Sequence, residues 1–348
     1  MAEHNRIKMK RILTRNEFYI ALVFVAICIL IESRSGQFFT ANNLVDIARS
    51  GITNSMLGIC VLIVMLSGGI DLSFVPIAAL AMYLTNSLRL DTGFSGSIIV
   101  PYLMAAGIGV LCGALNAVVI SRFNLPTLIV TLGTASVFTG IMRGVFVSKE
   151  KIAAPLIKQF GQAKLFTARN PVSGLTSDMP ATVFILIGIL VVTFLILRYT
   201  MLGRGIYAIG GDKNAARRAG YRVSRIQFFV YCYVGLLAGI AGLTRTCMAQ
   251  YAEFGGFLGT ELVIIAATVL GGARIIGGVG TITGTVLGAY LLTMISNSLV
   301  LIGVPTYWQE FFSGALIVVG TGISVYQASK GQRSKVRLQN IEIGGEAK

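Results

Sequence analysis

The chain has 348 residues, of which 55% are hydrophobic and only 12% charged, with a mean hydropathy of +0.78 and a formal net charge of +15. A water-soluble domain carries about 25% charged residues, so too little charge is present to cover a globule of this size, and lipid must solvate much of the surface. The 41 glycines suit close approach of helices in a bilayer.

The basic excess lies mainly in tails and loops between apolar runs. No basic domain interleaved with aromatics exists, so nucleic-acid binding is set aside and the charge is read as a topological signal. The five cysteines, Cys28, Cys60, Cys112, Cys232 and Cys247, lie in or beside apolar runs without a CxxC pair, and read as buried thiols. The only histidine, His4, is in a polar tail, so no histidine metal site or proton relay can be built within the membrane. No metal site is expected.

In chain order, residues 1–17 form a basic tail ahead of the apolar stretch from Phe18 to Ile31. The flanks resemble a signal peptide, but no small-x-small cleavage site follows, and the stretch reads as an uncleaved first span. Runs long enough to cross a bilayer are expected at 16–33, 51–67, 73–90, 98–120, 125–143, 181–198, 226–248, 259–272, 281–303 and 307–326. The eighth is short and reads as a broken or half-crossing helix. The expected fold is all-α: one transmembrane domain over 1–348, a polytopic bundle of about ten spans with broken helices.

Ten spans place both termini on one side. The N-tail, Arg122, the 198–225 loop, Arg274 and the 327–348 tail then hold most of the Lys and Arg residues, which puts that side in the cytoplasm. The 144–180 loop, expected outside, runs against the trend with Lys149, Lys151, Lys158, Lys164 and Arg169.

Three clusters stand out. Between spans two and three, Gly68 and Gly69 break the helix, and Asp71 with Ser73 is placed to cap the next one. A carboxylate at membrane depth costs about 2.5–3.5 kcal/mol on insertion scales, so Asp71 must be capped, paired or wet; a direct transport role is the alternative. Between spans eight and nine lie Gly271, Gly272, Gly277 and Gly278. Glycine clusters at corresponding places in two halves point to broken helices near a translocation route; tight reverse turns are the plainer reading. In the 198–225 loop, Asp212 or Asn214 can start, and Gly220 can end, a two-turn helix containing Ala215, Ala216, Arg217 and Arg218. A helix this short is unstable alone in water, so it needs something to dock against.

Within the spans, Asn54, Asn116, Asn297, Glu261 and Arg245 either hydrogen-bond between helices or line a path for a hydroxylated solute. Tyr307 and Trp308 read as an aromatic belt. No GxxxxGK[ST] is present, so any ATP that drives this protein is bound by another chain.

Together these motifs resemble the permease subunits of ABC importers for ribose and related simple sugars. The matching stretches are Ser67 to Ser73, Leu125 to Thr134, the 203–220 loop, Glu261 to Gly284, and Pro305 to Gln309. The resemblance implies a permease dimer, made with a second copy or a paralogue. It also implies ABC ATPase subunits or a tandem ATPase in the cytoplasm, an extracytoplasmic solute-binding protein, and a multi-pass location in a bacterial inner membrane. It further implies that Asn214 through Gly220, with Ala215, Ala216 and Arg217, docks on the ATPase; the family's leading Glu is Asn214 here. After Asp71-Leu72-Ser73 the family often has Val-Gly where this chain has Phe74-Val75, and Asn-Gly where this chain has Asn116-Ala117. Importers of autoinducer-2 and of nucleosides share the architecture. An ion-coupled secondary transporter using Asp71 or Glu261 is the reading from another class.

Overall fold

A computed structural model describes residues 16–301 except 94–95, 147–149 and 171–173, together with scattered residues between 303 and 322. The tails, with His4, and most of the expected tenth span at 307–326 lie outside the described residues. The helices are α1 (Asn16–Ser35), α2 (Ala41–Leu66), α3 (Phe74–Thr92), α4 (Ile99–Phe123), α5 (Thr127–Val145), α6 (Pro155–Gly161), α7 (Val183–Tyr199), α8 (Met201–Gly211), α9 (Lys213–Arg218), α10 (Val223–Ala249), α11 (Glu261–Leu270) and α12 (Ile282–Leu301).

The protein is a polytopic helical membrane protein. Among the described residues five helices, α2, α4, α5, α10 and α12, are long and apolar enough to cross a bilayer, and α7 with α8 makes a sixth if that pair, bent by 75°, is one span. The end of α3 carries Asn86, Arg89 and Asp91, and α11 has only 10 residues.

α2 is the central column. From Gly51 to Leu66 almost every side chain is buried, against α10, α12, α11 and α7. It begins ten residues before the expected 51, because the polar residues of its first turns have partners. Asp46 accepts from the Ser177 hydroxyl at 2.8 Å, and Arg49 donates to the Met248 carbonyl at 3.2 Å. α10 packs along α4 and α3. The α4–α10 contact is made by backbone: Gly109 and Gly113 face Gly235 and Gly239, two four-residue glycine steps. A Cβ at Gly109 would lie 2.1 Å from the Gly235 carbonyl oxygen, and one at Gly239 2.1 Å from that of Ala105. Small residues permit this approach, which replaces the hydrophobic drive that lipid removes. α1 joins the bundle through Cys28 and Ile31, against Leu291, Met294 and Ile295 of α12. Cys28, Cys60, Cys112 and Cys247 are buried and Cys232 is half-buried, all as free thiols.

The 144–180 segment is not a plain loop. It holds β1 (Lys151–Ile152), which pairs antiparallel with β4 (Tyr251–Ala252), then α6, then a hairpin of β2 (Lys164–Arg169) and β3 (Thr176–Pro180). Asn86 of α3 anchors it, donating to the Ile152 carbonyl at 3.0 Å and accepting from the Ala154 amide at 2.8 Å. The 198–225 segment likewise contains the whole of α8 and α9.

Candidate functional site: two glycine turns beside a capped helix

The first break follows α2. Gly68 has φ +80°, and the amides of Gly68 and Gly69 turn back to the carbonyls of Met65 and Val64 at 2.9 and 3.1 Å. The irregular residues that follow leave backbone amides free of any helix, and α5 takes up two of them. The Thr127 hydroxyl accepts from the Ile70 amide at 3.1 Å, and the Thr131 hydroxyl from the Leu72 amide at 3.2 Å. These two threonines are one helical turn apart and so share a face. Neither was expected as a site residue, although an i, i+4 pair of hydroxyls in an apolar span was visible in the sequence.

Asp71 is 4% exposed, and its Oδ1 accepts from both the amide and the hydroxyl of Ser73, each at 2.6 Å. The expectation that Asp71 caps α3 needs correction. The N-cap residue is Ser73, and among the described residues no side-chain cap bond is made there. An N-cap side chain bonds the second or third helical amide, and the third residue of α3 is Pro76, which has no N–H. Asp71 instead tightens the turn before the helix. Among the described residues its Oδ2 has no hydrogen-bond partner.

The second break follows α11. Gly272, Gly277 and Gly278 have φ of +92°, +105° and +72°, and the Arg274 amide donates to the Val279 carbonyl at 2.9 Å to close the turn. Gly271 is not left-handed; it ends α11, and a Cβ there would lie 2.3 Å from the Gly284 carbonyl oxygen of α12.

The two turns meet. The Gly278 amide donates to the Leu66 carbonyl at 3.2 Å, and a Cβ at Gly277 would lie 2.7 Å from the Cα of Gly68. Gly210, near the end of α8, packs on both. A cavity of about 460 Å³ opens beside this meeting point, lined by Gly68, Asn124, Thr127, Gly210, Lys213 and Ile276, among others.

α9 follows at once. Asp212 Oδ1 accepts from the amides of Asn214 and Ala215 at 2.8 and 3.0 Å, so Asp212, not Asn214, is the N-cap. Those two bonds, Ala215 first, hold its carboxyl below the usual carboxylate range. Burial, aided by Arg217, lowers the Lys213 ammonium. At the other end Gly220 has φ +88°, its amide donates to Arg217 and the Tyr221 amide to Ala216, each at 3.1 Å. This is a Schellman stop. Asn214, Ala215, Arg217, Arg218 and Gly220 are exposed, whereas Ala216 is 4% exposed and packs into the chain's own core. The expectation that Ala216 faces a partner is therefore corrected: Ala216 seats the helix on its own bundle, and Ala215 lies on the open side.

The candidate path residues separate. The Asn54 side chain donates to the Thr293 hydroxyl at 3.0 Å, tying α2 to α12. Asn116 is 0% exposed and donates to the Ser73 hydroxyl at 2.7 Å. Asn297 is half-buried on α12. Glu261 lines a cavity of about 520 Å³ between α3, α5 and α11, with Leu72, Ser136, Thr139 and Arg143. Arg245 lies over the Phe257 ring, 4.7 Å from its centroid.

Residues 43–320 match the family described as branched-chain amino acid transport system / permease component. The chain belongs to this family of transport permeases. It is a non-catalytic, multi-pass membrane subunit of the ABC import type. The Escherichia coli K12 ribose import permease protein RbsC is 30% identical over 298 residues, 86% of this chain and 89% of that protein. The Haemophilus influenzae RbsC is 28% identical over 330 residues, 94% and 98% of the two chains. The Yersinia enterocolitica autoinducer 2 import system permease protein LsrC is 30% identical over 297 residues, 85% and 79%. No solved structure matches the chain.

Proposed function

We propose that this chain carries a monosaccharide or similar small hydroxylated solute into the cytoplasm, as the membrane subunit of an ATP-driven importer. It works as a dimer with a second copy or a paralogue, takes solute from an extracytoplasmic binding protein, and is driven by ABC ATPase subunits. Both termini and α9 lie on the cytoplasmic side, which the distribution of Lys and Arg supports.

The observation that carries the reading is α9. Its two ends are capped, one buried alanine seats it, and Asn214, Ala215, Arg217 and Arg218 are left open on a helix too short to stand alone. That open side is the docking surface for the ATPase, with the arginines meeting acidic groups. The ribose and autoinducer-2 names of the relatives support a small polyhydroxylated solute, and 30% identity to both keeps the two solutes open.

Co-purification with the ATPase and uptake of radiolabelled ribose or autoinducer-2 into vesicles carrying the full complex test the reading. Ala215→Glu places a carboxylate on the open side and should lower ATPase association and uptake together. Wild-type association in Ala215→Glu would remove α9 from the docking surface. Uptake of neither solute, with a cognate binding protein present, would overturn the solute class.

A further inference from the structure

Three segments far apart in sequence meet at backbone level beside α9. A Cβ at Gly210 would lie 1.9 Å from the Leu66 carbonyl oxygen and 2.5 Å from the Gly278 amide nitrogen. A Cβ at Gly277 would lie 2.7 Å both from the Gly210 carbonyl oxygen and from the Cα of Gly68. The Gly278 amide donates to Leu66, and the Tyr207 hydroxyl of α8 donates to the Gly280 carbonyl at 3.3 Å. Both broken turns and the end of α8 are thus one contact, its core made by glycine backbone and its edge by the Tyr207 hydroxyl.

Such a contact has mechanical consequences. Side chains between two elements can absorb a small displacement by changing rotamer, whereas close-packed backbone cannot and passes it on. Only Asp212 separates α8 from α9. On the far side, the first turn is bonded to α5 through Thr127 and Thr131.

We propose that the junction of Gly68, Gly210 and Gly277–Gly278 is the positioning element that carries movement of α9 to both broken turns at once, the three segments moving as one body. This rests on the proposed role of α9 as the ATPase contact. It adds the route by which one cytoplasmic push reaches two turns in different halves of the chain.

The neighbouring glycine supplies a control. A Cβ at Gly211 meets nothing within 4 Å, while one at Gly210 meets backbone on two sides. In the complete transporter reconstituted in liposomes, Gly211→Ala should keep uptake within about twofold of wild type. Gly210→Ala should retain the ATPase and hydrolyse ATP, yet import more slowly by about tenfold or more, the size of a lost coupling. Uptake within twofold for Gly210→Ala would overturn the proposal.

A second measurement does not depend on how Gly210→Ala folds. Gly211 is exposed on α8 and Ile276 is 88% exposed on the second turn. Cysteines at these two positions, joined by a short cleavable bismaleimide, should leave uptake within about twofold, because segments that move together tolerate a tether. Loss of uptake on tethering, recovered on cleavage, would mean that the segments move apart and would overturn the proposal. Both measurements are made on assembled complexes. Failure of α9 docking appears as loss of the ATPase, and failure of the junction appears with the ATPase still bound.

Discussion

Asn116 of α4 donates to the Ser73 hydroxyl at 2.7 Å, and that hydroxyl donates in turn to Asp71 at 2.6 Å. The carboxylate therefore reaches the rest of the bundle through a neutral relay. Asp71→Asn keeps an oxygen acceptor for both Ser73 donors, so most uptake and the melting temperature in detergent should survive. Asp71→Leu strands a buried amide and a buried hydroxyl, each about 1–3 kcal/mol, and should lower the melting temperature markedly. Asn116→Leu should cost less, since Ser73 still has Asp71. Normal assembly with no uptake in Asp71→Asn would show that the charge itself is used.

The α4–α10 contact makes a sharper stability prediction. Gly109 and Gly235 leave no room for a side chain, the Gly235 Cβ position lying 2.2 Å from the Gly109 carbonyl oxygen. Gly107, two residues away on the same helix, has nothing within 4 Å. Gly235→Val should force the helices apart and cost at least the ~1–3 kcal/mol of an overpacked core, read as a fall in folded yield and melting temperature. Gly107→Ala should be neutral or slightly stabilising, as expected for a better helix former. Equal effects from the two would contradict the observed packing.

These glycines mark the limit of what the sequence discloses. Gly68, Gly277 and Gly278 read as turns because each interrupts an apolar run. That Gly68 meets Gly277, with Gly210 against both, depends on partners up to about two hundred residues away, and no local pattern encodes that. The start of α2 was missed because Asn42, Asn43, Asp46 and Arg49 look like loop; they are helical because the β2–β3 hairpin and Met248 satisfy Asp46 and Arg49. The caps of α9 were legible because Asp and Gly act locally. Its buried face was not, since six residues are too few to show a period and Ala215 and Ala216 are chemically alike.

Orientation can be read by accessibility. Four of the five native cysteines are buried, so the chain offers a low background. Gln159 on α6 and Asn214 on α9 are both exposed. With a cysteine at 159, an impermeant maleimide should label intact cells; with one at 214 it should label only after lysis. The reverse pattern would invert the topology and place α9 out of reach of any cytoplasmic ATPase.

The caps of α9 should govern its coupling role without touching its open side. Asp212→Ala removes the acceptor for the amides of Asn214 and Ala215, while Asp212→Asn retains one. Gly220→Val forces a β-branched residue to φ +88°, at about 1–2 kcal/mol. The pH dependence follows from the direction of the Asp212 shift. Its folded pKa lies below the unfolded value, so its stabilisation is complete above the unfolded value and is lost only as pH falls through the folded one. Between pH 6 and 8 the cap should therefore be constant, and any change in uptake across that window must come from another group. Hydrogen exchange of the 213–219 amides provides the direct reading. Asp212→Ala and Gly220→Val should speed exchange there and weaken ATPase association, with the rest of the bundle unchanged. Asp212→Asn should stay near wild type in both. Wild-type association in Gly220→Val, with exchange accelerated, would mean that the ATPase does not need an ordered α9.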